Sequence, residues 1–299
     1  MGSEDCTSDE KSGRKRIKKL EVMVADVIQE THDSTTLVFF TGNDRLDYKP
    51  GHFLTIDPHQ FSALERFTAY LEDTKERKET ARAYSLYSAP HERYLAITVK
   101  EERYVSGSTE YPPLLSPLLV RRTPVGARMV VTGFTGPYTL PDDIEERTDH
   151  LVHICAGSGS VPNLSILKHC LETGMNLRHT FIYGNKLWED VIFADKLAEL
   201  QGAHPDNLEV FHSLTREEDP GRYGDNVRSG RINESMIREL VNDPGAAEFF
   251  VCGPGITKWD KKRAKAEGED PRPRFLESAL EALSAMGIDK KKVHNESYG

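Results

Sequence analysis

Two rhythms of apolar and polar positions divide the chain. From Leu20 to Gly133 the apolar residues come at period two in short runs: Glu21 to Val27, Thr35 to Phe40, His52 to Ile56, Ala83 to Tyr87, Tyr94 to Lys100 and Arg128 to Gly133. Such alternation sends side chains to opposite faces of a strand, and turn-formers such as Pro50-Gly51 separate the runs. Short strands at this spacing predict a six-stranded antiparallel β-barrel. Two segments interrupt it. Phe61 to Arg82 carries Leu64, Phe67 and Leu71 at helical spacing among charged residues, which predicts a surface helix. Glu101 to Val120 contains Ser116-Pro117, where Ser116 is expected to N-cap a short helix opened by Pro117.

Past Pro141 the rhythm changes. Strands are predicted at Leu151 to Cys155, Arg178 to Tyr183, Leu208 to His212, Glu248 to Cys252 and Lys292 to Tyr298. Helices fall between them at Pro162 to Thr173, Trp188 to Leu200, Asn233 to Val241 and Arg274 to Met286. That alternation predicts a doubly wound parallel sheet, whose ligands bind at the carboxyl ends of the strands. The expected organisation is therefore a polar, disordered leader over residues 1–16, a barrel domain over 17–145 and an α/β domain over 146–299. The boundary lies within Pro141 to Thr148.

Charge and composition narrow the function. A net charge of −9 argues against a general nucleic-acid binder, which needs a surplus of Lys and Arg. No apolar stretch approaches the roughly 20 residues that span a bilayer, so the expectation is no membrane and a cytoplasmic location. The four cysteines, Cys6, Cys155, Cys170 and Cys252, are too scattered for a disulfide framework or an iron-sulfur cluster. The eleven histidines include no HxH or HExxH spacing, so no metal site is expected.

The chemistry concentrates where an apolar run meets a glycine turn and a helix: Leu151 to Cys155, Gly157-Ser158-Gly159-Ser160-Val161-Pro162, then Asn163 onward. A strand feeding such a turn gathers backbone N–H groups and the positive end of a helix dipole, which suits a phosphate. Around it stand Arg82-Ala83-Tyr84-Ser85, Tyr183-Gly184-Asn185, Asp190-Val191-Ile192-Phe193, Cys252-Gly253-Pro254 and the end Glu296-Ser297-Tyr298-Gly299. In this order these resemble the RxYS, GxGxxP, post-strand, CGP and ExF/Y motifs of the ferredoxin-NADP reductase superfamily, over residues 20 to 299.

The resemblance implies an FAD-binding barrel followed by an NAD(P)-binding domain. It assigns Arg82 to a flavin phosphate, Tyr84 to the isoalloxazine and Ser85 to the approach to flavin N5, with Ala83 between them. Thr98-Val99-Lys100 resembles the next flavin-contacting strand. The GxxS-like turn expected after it is replaced by Gly107, a Pro-rich detour and Ser116, so FMN stays open beside FAD. Gly157, Ser158, Gly159 and Pro162 would hold the pyridine nucleotide, and Cys252, Gly253 and Pro254 would position its nicotinamide. Lys186 and Arg216 lie where the family reads the 2′-phosphate of NADPH. Glu217-Glu218-Asp219 opposes that reading, so NADH stays open. Tyr298 would cap the flavin, with Glu296 hydrogen-bonded near it. Cys155 and Cys170 read as core residues.

The activity implied is hydride transfer from NAD(P)H to FAD, then single electrons to a separate ferredoxin or oxygenase. Lys258 to Lys265 sets five positive charges around Trp259 in an insertion after CGP and is a candidate dock for that acidic partner. Alternatives are a reductase of a small acceptor, such as free flavin or a ferric chelate, and a flavin-binding subunit without turnover.

Overall fold

A computed structural model describes residues 19–42, 46–104 and 111–298. The expected leader, Cys6, Gly107 and Gly299 lie outside the described residues. β1 (Leu20–Thr31) and β2 (Ser34–Phe40) pair as an antiparallel hairpin, with β3 (Phe53–Ile56) following. The insertion holds α1 (Glu65–Ala69), which runs on as a wider turn over Tyr70–Thr74. It is much shorter than the helix predicted for Phe61 to Arg82. Of its apolar triplet only Leu71 is fully buried, while Phe67 stays 39% exposed. Glu76 then adopts a left-handed backbone (φ 52°), which no helix continues through.

β4 (Arg82–Ser85), β5 (Leu95–Lys100), α2 (Leu115–Arg121) and β6 (Arg128–Thr135) complete the first half. The sheet order is β4-β3-β6-β1-β2-β5. A bridge from Leu86 to Ile97 and the Tyr87 N–H to Ala96 O bond (2.8 Å) bring its edges together as a barrel. Val24, Leu37, Leu54 and Ile97 fill it. Ser116 is not the N-cap of α2. The helix begins at Leu115, so Ser116 sits inside its first turn, and its Oγ accepts instead from the Glu102 N–H (3.1 Å).

The second half adds α3 (Ile144–Arg147), β7 (His150–Ala156), α4 (Ser160–Glu172), β8 (Arg178–Asn185), α5 (Ala194–Ala203), β9 (Leu208–Leu214) and β10 (Val227–Ser229). α6 (Glu234–Leu240), β11 (Glu248–Pro254), α7 (Lys258–Glu267), α8 (Phe275–Ala285) and β12 (Val293–Tyr298) follow. All six strands are parallel, in the order β10-β9-β8-β7-β11-β12. The winding reverses between β7 and β11, and the crevice at their carboxyl ends is where such a sheet binds ligands.

Three departures from the predicted elements have local causes. The helix expected over Trp188 to Leu200 is split, because Phe193 is left-handed (φ 65°) and α5 starts only after it. β10 has three residues and thus too few for a periodic signal. α7, where no element was predicted, is held by a capping box in which Thr257 Oγ1 accepts from Asp260 N (3.0 Å) and Asp260 returns to Thr257 N (3.0 Å). No helix among the described residues is long and apolar enough to cross a membrane.

Candidate functional site

The glycine turn follows β7 as one 3-10 turn, Gly157–Gly159, and α4 starts at Ser160, two residues earlier than predicted. Pro162 remains in the first turn, where its missing N–H costs nothing. Gly157 has φ 54° with nothing within 4 Å of where a Cβ would stand, so its backbone is open to a ligand. Gly159 is the opposite case. A Cβ there would lie 2.2 Å from the Cys252 carbonyl oxygen, so only glycine lets the turn rest against β11. The carbonyls of the turn are tied back: Tyr183 OH donates to Gly157 O (2.8 Å) and Asn163 Nδ2 to Gly159 O (3.0 Å). Asn163 Oδ1 in turn accepts from Tyr138 OH (3.0 Å) and lies 3.0 Å from His153 Nδ1.

Four of the singled-out side chains converge beside this turn. The β11–β12 register sets Cys252 opposite Glu296, Gly253 opposite Ser297 and Pro254 opposite Tyr298. Tyr298 OH donates to Ser85 Oγ at the end of β4, joining the two sheets. The Glu296 carboxyl lies beside Ser85, whose hydroxyl favours its charged form. Burial pushes Glu296 up to about 7, with the Ser85 hydroxyl pulling the other way, and its Oε2 is buried without a partner. The Cys252 thiol is fully buried and raised by that burial, with Glu296 adding to it. The Tyr298 hydroxyl is raised by burial, then by Cys252 and Glu296. A buried carboxyl oxygen lacking a partner, beside a serine and a thiol, is what a polar ring edge would satisfy.

Elsewhere the singled-out residues are spread along two strands. Arg82 leaves its guanidinium half exposed, with Nη2 3.1 Å from Glu79 Oε2. Ala83 is exposed and Tyr84 packs on the barrel core. On β5 the Thr98 hydroxyl shares a 2.7 Å bond with Thr36, Val99 is buried in the core, and Lys100 Nζ sits 3.1 Å from Asp33. Those three side chains are committed within the barrel. Ser116, engaged with Glu102, begins no helix long enough to act as an anion site. Cys155 and Cys170 are core residues.

Lys186 and Arg216 are neighbours at the carboxyl ends of β8 and β9, joined by Arg216 N–H to Lys186 O (2.9 Å), and both are exposed. Glu217, expected to oppose them, is turned inward: it accepts from Trp188 N (3.1 Å) and pairs with Arg222 (3.1 Å). Sequence reading missed Trp188, Tyr223 and Arg222. The two rings stack at 4.6 Å and 11°, with Arg222 over Tyr223. No motif spacing links them, since a chain reversal brings them together. Asn163 and Tyr138 were missed likewise.

Residues 153–258 match the family model described as "Oxidoreductase NAD-binding domain". The chain is 31% identical over 289 residues to the ferredoxin reductase component of 3-ketosteroid-9-alpha-monooxygenase from Mycobacterium tuberculosis, covering 93% of this chain and 65% of that protein. It is 24% identical over 286 residues to the reductase component of propane 2-monooxygenase from Rhodococcus jostii, covering 95% and 63%. The chain thus spans just under two thirds of the length of these curated relatives. Among solved structures, the FAD/NAD-binding domain of nitric oxide dioxygenase from Vibrio cholerae superposes with a TM-score of 0.70 at 22% identity, covering 95% of this chain and all of that one.

Proposed function

Because the chain belongs to the ferredoxin-NADP reductase superfamily, we propose that it is an NAD(P)H-dependent FAD reductase that delivers electrons to a ferredoxin or oxygenase component. The observation that carries this reading is the meeting of Ser85 from the barrel with Cys252, Glu296 and Tyr298 from the parallel sheet, beside a glycine turn open to phosphate. A bound flavin would supply the redox chemistry, that of a hydride acceptor and one-electron donor. The chain's own residues orient and shield. The turn and the α4 N-terminus would receive a diphosphate, Cys252 would limit how a nicotinamide ring seats, and Arg82, half exposed beside Glu79, would meet a flavin phosphate. Tyr298 closes over Ser85, so it must yield when a nicotinamide enters. Two-carboxylate or nucleophile chemistry is not needed, because hydride transfer requires no acid or base.

Cys252→Ala should slow flavin reduction about tenfold while leaving flavin bound, since it changes ring seating and not the barrel. Stopped-flow reduction checks this, and unchanged kinetics would remove Cys252 from the site. NADPH is the preferred donor in this reading. Lys186 and Arg216 are adjacent and exposed, and Glu217, already paired with Arg222, does little to offset them.

The acceptor's surface is the α7 side. Its one buried acid, Asp260, is neutralised by Arg274 (2.9 Å), while Lys258, Lys261, Lys262, Arg263 and Lys265 ring the helix on a chain of net charge −9. α7 begins four residues after Pro254, the last residue of β11. Reversing Lys261, Arg263 and Lys265 to Glu should raise KM for an acidic iron-sulfur acceptor about tenfold at low salt, with the effect fading above about 0.3 M. Ferricyanide reduction should be unaltered. Equal KM values at low salt would remove α7 from docking. The cofactor itself is tested by extracting the flavin of the purified protein, with FAD as the expected species and FMN as the contrary one.

A further inference from the structure

Away from the converging residues, one cluster joins the two sheets through groups that are unfavourable unless something requires them. Lys168 lies in α4 with its side chain 4% exposed, its ammonium 2.6 Å from Glu92 in the β4–β5 loop. The same ammonium stands 3.7 Å above the Tyr87 ring. Tyr87 stacks on Phe193 at 4.7 Å and 17°, and Phe193 is the left-handed residue that breaks the predicted helix. One helical turn from Lys168, Ser165 Oγ donates to Ser88 O (2.8 Å). A buried ammonium persists only with a partner, and a left-handed aromatic residue persists only where its surroundings hold it. Here the Lys168 partner, Glu92, and the Tyr87 ring against both Lys168 and Phe193 come from the opposite half of the molecule.

The position of this cluster gives it a consequence. Tyr87 is two residues from Ser85, and Lys168 lies about 12 Å along α4 from Ser160, at the helical rise of 1.5 Å per residue. The same rigid helix therefore carries the glycine turn at one end and the grip on the β4 end at the other. We propose that Lys168, Glu92, Tyr87 and Phe193 form a latch that sets the spacing between the end of β4 and the glycine turn, and so governs the rate of hydride transfer. The latch rests on the reductase reading above and names its positioning residues. It acts on geometry, so it changes the rate of the bound complex and leaves affinity for the nucleotide alone. A misplacement of about 1 Å is enough to slow such a step up to 100-fold.

The test is anaerobic stopped-flow reduction of the flavin-loaded protein by NADPH and by NADPH deuterated at nicotinamide C4. Lys168→Met and Tyr87→Ala should each lower the limiting reduction rate about tenfold or more, alter the isotope effect, and leave the nucleotide Kd within about threefold. Tyr87→Phe keeps the ring and should behave as the unaltered protein. Where Lys168→Met fails to fold, the Tyr87 pair carries the comparison. Variants that melt earlier yet keep the limiting rate and isotope effect overturn the latch and leave a structural contact only. An unaltered protein reduced by neither NADPH nor NADH overturns the reductase reading, and the latch's role with it.

Discussion

Gly159→Ala is expected to remove nucleotide-driven flavin reduction almost entirely, lowering its rate more than about 100-fold, and to destabilise the protein by about 3 kcal/mol. The added Cβ would stand 2.2 Å from the Cys252 carbonyl oxygen, 2.5 Å from its carbon and 2.8 Å from Gly253 Cα. All three are backbone atoms of a central strand, so no flexible side chain can swing away. The conflict is relieved only by moving α4 off β11, which displaces the glycine turn from Cys252 and Tyr138 from Asn163. Gly157→Ala is the matched control. It meets no atom within 4 Å, and its φ of 54° costs about 1–2 kcal/mol. Stopped-flow reduction and thermal melting of the two variants decide the matter. Equal behaviour of the pair would mean that the close approach of the turn to β11 is not what the site depends on.

Ser85→Ala carries the second large effect. Its hydroxyl accepts from Tyr298 and lies beside Glu296, so the substitution leaves a partly buried phenol without that acceptor and the carboxyl without a neighbouring hydroxyl. Flavin reduction should slow about 10- to 100-fold. The pH dependence of stability should change as well, and its sign follows from Glu296. In the folded state burial raises this carboxyl from 4.5 to about 7, so the folded protein binds the proton more tightly than the unfolded chain. Stability therefore falls as pH rises from about 4.5 to about 7, and the loss, about 1–3 kcal/mol after allowance for partial exposure, is fully present above that window. The Ser85 hydroxyl lowers the Glu296 value, so Ser85→Ala should extend the window to higher pH, whereas Glu296→Gln should flatten it. Melting temperature measured from pH 5 to 9 tests both. A slope untouched by either substitution would mean that Glu296 is not buried as a coupled partner of Ser85.

What was legible in the sequence is what depends on local chemistry. Period-two runs gave the barrel strands, and alternating strands and helices gave the parallel sheet. The RAYS, GSGSVP and CGP stretches lie on β4, after β7 and on β11, with Ser85, Cys252, Glu296 and Tyr298 together. What was not legible depends on partners distant in the chain. Lys168 is the one Lys, Arg, Asp or Glu within LSILKHC, a mostly apolar stretch of helix, and only the barrel loop supplies Glu92. Phe193 has no residue-type signal for a left-handed backbone. The Ser116-Pro117 pair predicts an N-cap at Ser116, but the helix begins at Leu115 and the hydroxyl accepts from the Glu102 N–H. α7 lacks an apolar stripe, since charged residues occupy most of its length. The Thr257-x-x-Asp260 capping box was the available sign of it.

The central claim is that the glycine turn and the Ser85–Cys252–Glu296–Tyr298 cluster bring a nicotinamide to a bound flavin. Anaerobic titration of the purified, flavin-loaded protein with NADPH and with NADH, followed by visible absorbance, tests it most directly. The account predicts full bleaching of the flavin band by about one equivalent of NADPH, at a higher rate than with NADH. A flavin band that both nucleotides leave unbleached would contradict it.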